Sequence, residues 1–142
     1  EVVVSDREID YPKALQLDLL VAMNQRSCDE YYMDLKPDGI LVVDSTLVKQ
    51  VPLSRAYRIP FTRIAREELN REMVANIVAL GALSRLTPIV SARAVESAVL
   101  GRVPKGTEKL NREALQAGMR AARKTKKIRF PEAISELVDE DT

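Results

Sequence analysis

The sequence predicts an α/β fold with a mainly parallel sheet, and three features of its 142 residues carry that reading. Leu19-Leu-Val-Ala-Met23 and Ile40-Leu-Val-Val-Asp44 are unbroken apolar runs of strand length, the pattern of strands covered on both faces. Between them, Ser27 and Glu30 have the spacing of a capping box for a helix reaching about Leu35, and Asp38-Gly39 offers a turn. Strand, helix and strand in this order form a βαβ unit, whose crossover is expected to be right-handed. The third feature is Met73-Val-Ala-Asn-Ile-Val-Ala-Leu-Gly-Ala-Leu83, apolar on nearly every face except at Asn76. It is too short to span a bilayer and reads as a central helix buried all round. Ala75, Ala79 and Ala82 share a stripe with Gly81 beside them, so another backbone can approach closely there. Asn76 is expected to be a buried amide satisfied by a neighbouring loop, with a ligand contact as the alternative.

The remaining elements follow in order. Glu1 to Val4 reads as a strand closed by Ser5-Asp6, and Tyr11-Pro12 starts a short helical turn. A loop through Pro52 leads to a short strand around Tyr57-Arg58-Ile59, which Pro60 halts. Thr62 can cap a helix carrying Ile64, Ala65 and Leu69, and Asn70 can end it in the left-handed conformation. The central helix then stops at Pro88. Ser91 caps the next helix, with Val95, Ala98 and Val99 inward and Gly101 beyond its end. After the break at Val103-Pro104, a long helix from Thr107 to Arg123 turns Leu110, Ala114, Ala117 and Ala121 inward. Glu108 and Arg112 stand at favourable four-residue spacing on it. Residues 1–124 are thus expected to form a single α/β domain, and 125–142 a basic-then-acidic tail. Two readings of that tail stand: a solvated segment whose halves attract each other, or a docking arm for an acidic surface or RNA.

Composition removes several kinds of chemistry. There is no histidine, so histidine-based acid–base catalysis and most zinc sites are excluded. The single cysteine, Cys28, excludes an internal disulfide and a self-contained iron–sulfur cluster; it is expected to be a reduced, partly packed thiol in a cytoplasmic protein. A net charge of +1 gives no field calling for nucleic acid, and no apolar run calls for a membrane. The chain opens at Glu1 directly into Val2-Val3-Val4, so further residues are expected upstream. Ligands of parallel sheets sit outside the carboxyl ends of the strands. Asn24, Gln25, Asp44 and Ser45 occupy two such ends and form the candidate binding crevice; the other reading is that they cap the turns that follow. Lys105-Gly106-Thr107 is better explained by Thr107 as a helix cap than as a phosphate loop. No catalytic residue and no metal site is assigned.

Six stretches, in order, resemble the gamma subunit of the 2-oxoacid:ferredoxin oxidoreductases, with the 2-oxoglutarate branch nearest in appearance. They are Glu1-Val-Val-Val-Ser-Asp with Glu8-Ile-Asp-Tyr-Pro12, Asp18-Leu-Leu-Val-Ala-Met-Asn-Gln25, Gly39-Ile-Leu-Val-Val-Asp-Ser45, Ile59-Pro-Phe-Thr62, Ala75-Asn-Ile-Val-Ala-Leu-Gly-Ala-Leu83 and Val103-Pro-Lys-Gly-Thr-Glu-Lys-Leu-Asn111. The resemblance runs from Glu1 to about Gly118. It implies a three-layer Rossmann-like sandwich within a larger enzyme that decarboxylates a 2-oxo acid such as 2-oxoglutarate or pyruvate. Electrons leave that enzyme through iron–sulfur clusters to ferredoxin, and the acyl group goes to coenzyme A as co-substrate. Thiamine diphosphate, magnesium and the clusters are then expected in partner subunits (alpha, beta and, where present, delta), the isolated chain being inactive. Family members normally begin with a strand and a Gly-x-Gly-Gly-Gln-Gly segment, which precedes the point where this sequence starts; without it the sheet lacks a central strand. A non-enzymatic α/β assembly module docking through the basic tail is the alternative function.

Overall fold

The computed structural model describes residues 2–4, 17–52, 56–87 and 91–125. Its contacts divide the chain between Ile59 and Pro60 into two compact units.

The first unit is the sheet. Its elements are β1 (Val2–Val4), β2 (Leu17–Ala22), α1 (Gln25–Tyr31), β3 (Leu35–Asp44) and β4 (Tyr57–Ile59). The strands lie in the order β1-β2-β3-β4. β2, β3 and β4 are mutually parallel, with Leu20 opposite Leu41 and Asp44 opposite Ile59, and β1 joins β2 antiparallel. Every residue of β2 is buried, as the unbroken apolar run requires of a strand with neighbours on both edges and cover on both faces. Leu17, Leu20, Ala22, Leu41, Val43 and Val48 pack with Cys28 in one cluster, flanked by Tyr31, Leu35, Val51 and Ala56. Burying each such leucine contributes roughly 1.5–3 kcal/mol. Asp18 is the exception in β2: 3% exposed, it pairs with Lys36 at 2.7 Å.

Two local expectations fail here. The capping-box helix ends at Tyr31 instead of about Leu35, because a 3-10 turn, Tyr32–Asp34, feeds straight into β3. Its cap is Asn24, whose side-chain oxygen accepts from the Ser27 amide at 2.8 Å, three residues before the start of the predicted Ser27–Glu30 box. Asp38-Gly39 is no turn between elements either; it lies inside β3, at a register shift. Between Leu17 and Leu19 the partner on β3 moves from Leu35 to Ile40, so the extra residues bulge out. A Cβ at Gly39 would come within 2.9 Å of the Leu17 carbonyl oxygen, which is why glycine stands at the bulge. The Tyr11-Pro12 turn lies outside the described residues.

The second unit is helical: α2 (Phe61–Leu69), α3 (Ala75–Leu86), α4 (Ala92–Leu100) and α5 (Glu108–Arg123). Asn70 ends α2 with φ 53°, in the left-handed conformation predicted for it, and Ser91 caps α4 by accepting from the Ala94 amide at 3.1 Å. α3 and α5 cross at Gly81 and Gly118. A Cβ on Gly81 would fall on the Leu115 carbonyl, and one on Gly118 on the Val78 carbonyl, so the two backbones touch. Ala75, Ala79 and Ala82 are buried as one stripe, in keeping with that approach. Val95 and Val99 of α4 meet Leu115, with Ile77, Leu80, Val103 and Met119 packed around them.

The central helix differs from its prediction in three ways. A 3-10 turn over Glu72–Val74 precedes it, leaving Met73 78% exposed. It is also two-faced: Asn76 lies on the open side, where its side-chain oxygen accepts from the neighbouring Ile77 amide. No buried amide is present at that position, because the small-residue stripe on the opposite face makes the helix contact. Elsewhere, Thr62 is buried inside the first turn of α2, with Pro60 at the cap position. Ala98 is exposed, and Leu110 and Ala121 are half-buried while Leu115, Gly118 and Ala122 take the inner face of α5. Thr107 does not cap α5 through its hydroxyl, which donates back to the Pro104 carbonyl at 2.6 Å. Glu108 accepts from the Gly106 amide, so Arg112 reaches across to Glu96 on α4 at 3.3 Å. Pro88 and the residues after Thr125 lie outside the described residues.

Candidate functional site

Parallel pairing brings the carboxyl ends of β2, β3 and β4 to one edge of the sheet, and with them Asn24, Gln25, Asp44 and Ser45. Asn24 follows β2 and holds the first turn of α1, as described above. Gln25 reaches across to the loop after β3. Its side-chain oxygen accepts from the Lys49 and Gln50 amides at 2.8 and 3.0 Å, and its nitrogen donates to the Gln50 carbonyl at 2.7 Å and to Asp29 at 2.9 Å. An amide carries both donor and acceptor, so one glutamine can bind an extended segment in both directions.

Asp44 is completely buried at the end of β3. Its carboxylate accepts from the Thr46 amide at 3.1 Å, and its carbonyl accepts from Leu47 and Val48 at 3.1 and 2.9 Å, winding the chain into a turn. Ser45 is tied by its main chain, its amide donating to the Ile59 carbonyl at 3.0 Å and its carbonyl accepting from Lys49 Nζ at 3.2 Å. The sheet edge therefore carries an irregular loop fastened from both sides, with Val48 buried as its anchor and Leu47 43% exposed. The sequence singled out the four polar positions but not Leu47 or Lys49. A glutamine clasping main chain some 25 residues away has no local pattern by which it can be read.

Cys28 is fully buried on the inner face of α1, packed with the β2 and β3 core. Burial raises its thiol pKa above the ordinary value, and the nearby Asp29 charge raises it further, so the thiol stays protonated and unreactive. Among the described residues no group of three or more histidine, cysteine, aspartate or glutamate side chains could hold a metal ion. Among them, too, no helix is long and apolar enough to cross a membrane.

A family model described as pyruvate ferredoxin/flavodoxin oxidoreductase matches residues 1–121. The chain belongs to that family. Among its relatives in the pyruvate ferredoxin/flavodoxin oxidoreductase family is the 2-oxoglutarate synthase subunit KorC of Methanocaldococcus jannaschii, 47% identical over 127 residues, which span 87% of this chain and 68% of the relative. The solved keto/oxoacid ferredoxin oxidoreductase gamma subunit of Geobacter sulfurreducens superposes with a TM-score of 0.72 at 44% identity, over 87% of this chain and 69% of that one. The 2-oxoglutarate:ferredoxin oxidoreductase of Magnetococcus marinus, solved with 2-oxoglutarate, coenzyme A and succinyl-CoA bound, aligns at 28% identity with a TM-score of 0.65. That match covers 80% of this chain and 21% of the other. The family membership and the α/β fold expected from the sequence both stand.

Proposed function

We propose that this chain is the gamma subunit of a 2-oxoacid:ferredoxin oxidoreductase, in the branch acting on 2-oxoglutarate, and that it works in the cytoplasm. The observation that carries the reading is the 47% identity to a 2-oxoglutarate synthase subunit across nearly the whole domain. The cofactors of the reaction do not fit this chain. Iron–sulfur clusters need several thiolates, whereas Cys28 is a single buried, protonated thiol. Among the described residues the polar side chains at the sheet edge, Asn24, Gln25 and Asp44, already bond to main-chain groups of this chain. Thiamine diphosphate, magnesium and the clusters belong to alpha, beta or delta partners, with coenzyme A as co-substrate and ferredoxin as electron acceptor of the complex. The role of this subunit is to complete the assembly beside the active site.

Purified alone and supplied with thiamine diphosphate and magnesium, the chain is expected to show no coenzyme A-dependent dye reduction. From native extract it should bring down companions that carry thiamine and iron–sulfur clusters. Turnover by the chain alone, or recovery free of any such companion, would overturn the reading.

We also propose that Asn24, Gln25, Asp44 and Ser45 line the boundary between this subunit and the thiamine-bearing subunits or coenzyme A. Asn24→Ala removes a helix cap and should cost the free chain about 1 kcal/mol. The proposal requires Asn24→Ala and Asp44→Ala to reduce the activity of the reconstituted complex by more than their effect on the free chain's melting accounts for. Losses that follow the melting alone would leave these residues as turn fasteners only.

A further inference from the structure

Residues 48–51 belong to no helix or strand, and they are fastened unlike the elements around them. The Leu47 and Val48 amides close a turn on the Asp44 carbonyl. Beyond that turn the hold on the rest of the unit passes to one side chain. Among the described residues, the Lys49 and Gln50 amides donate only to Gln25 Oε1, and the Gln50 carbonyl accepts only from Gln25 Nε2. The Lys49 ammonium bonds to the Ser45 carbonyl, within the same loop. No main-chain hydrogen bond among the described residues joins 49–51 to a strand or helix. The apolar hold is equally small: Val48 is buried in the cluster that contains Cys28, and the half-buried Val51 packs against it. β2, by contrast, is paired along both edges and buried at every residue. A segment held by one side chain and two valines opens far more readily than such a strand, because opening forfeits only its own few contacts.

From this arrangement we infer that 48–51 is a strap that lifts from the sheet locally while β2, β3 and α1 stay folded, with Gln25 as its latch and the Asp44 turn as its hinge. Lifting uncovers two things at once. The Gln25 amide gives up three of its four hydrogen bonds, keeping the one to Asp29, and the cluster around Cys28 loses the cover of Val48. The strand-end crevice therefore has two states. Closed, the Gln25 amide is spent on the strap; open, it presents a free acceptor and a free donor. Whatever bonds to Gln25 there must first displace the strap, and it favours the open state by that added bonding. Opening is a property of this chain alone and does not depend on the gamma-subunit reading.

The test is native-state exchange on the full chain, across a urea series below its unfolding transition. Main-chain amide exchange is followed by NMR, and Cys28 is followed by its reaction with excess dithionitrobenzoate. It is the only cysteine, so the colour has one source. In the parent, exchange at Lys49 and Gln50 and labelling of Cys28 should be nearly independent of urea, since lifting the strap exposes little surface. The amides of β2 and β3 should exchange with the full urea dependence of unfolding. The Cys28 and Tyr32 amides, which bond to the Asn24 and Cys28 carbonyls within α1, should stay slower than those of the strap. Gln25→Ala, which removes three hydrogen bonds from the closed state, should speed exchange at Lys49 and Gln50 and labelling of Cys28 by about tenfold or more. Two results in the parent would overturn the inference, whether or not the variant folds. One is a urea dependence at Lys49, Gln50 and Cys28 equal to that of β2, which would mean the strap opens only when the protein unfolds. The other is exchange of the α1 amides as fast as that of the strap, which would mean the helix lifts instead. A folded Gln25→Ala chain with unchanged rates would show that Gln25 is no latch.

Discussion

Gly81→Leu is expected to destabilise the protein by about 3 kcal/mol or more, because nothing beyond Cα fits between α3 and α5. The added Cβ would meet backbone, the carbonyl of Leu115, which cannot swing aside as a side-chain tip could. Gly118→Leu meets the Val78 carbonyl and should behave alike. The decisive variants are the mildest ones. In an exposed helix, glycine to alanine gains about 1 kcal/mol of helix propensity. At both crossing positions that gain should be reversed, so Gly81→Ala and Gly118→Ala lower the melting temperature. A melting curve for either alanine variant at or above that of the parent would mean the helices do not approach as described.

Lys36→Met should cost about 3 kcal/mol, the second large effect. Asp18 sits 3% exposed in the middle strand, and Lys36 meets it from the bulged segment of β3 at 2.7 Å. Methionine keeps the length of the stem but leaves the buried carboxylate without its lysine. Since the contact is shielded from water, the penalty should persist at high salt, unlike that of the exposed pair between Arg112 and Glu96. Denaturant titrations of Lys36→Met at low and high salt measure both features; a loss under about 0.5 kcal/mol would reduce the pair to surface decoration.

The sheet was legible because its strands have a two-sided chemistry that sequence shows directly. Leu19 to Met23 and Ile40 to Asp44 are apolar without alternation, and β2 and β3 are parallel as that pattern implies. Asn70 and Ser91 were legible because a left-handed turn and a helix cap each favour a short list of residues. Gly81 was legible from its alanine neighbours, but its counterpart Gly118 was not, since α5 reads as an ordinary amphipathic helix. Errors came where two local signals competed. Asn24 and Ser27 could both begin α1, and the asparagine is the cap. Asp38-Gly39 carries turn chemistry that a β-bulge uses equally well. Glu108 and Arg112 have ideal spacing, yet each finds a partner off the helix surface they share. Of the candidate site, the four polar residues at the strand ends were legible from topology alone. The loop that Gln25 and Asp44 hold was not, because its fastening depends on side chains reaching across the sheet edge.

The crossing of α3 and α5 bears on how the chain is made as well as on how it stands. Gly81 and Gly118 are separated by 37 residues, with all of α4 between them. A ribosome adding about 5–20 residues per second takes roughly 2–7 s to cover that distance. Throughout that interval the Ala75, Ala79 and Ala82 stripe of the nascent chain has no α5 to cover it. Helix α3 therefore emerges with its contact face open, and the helical unit can close only after synthesis has passed Gly118.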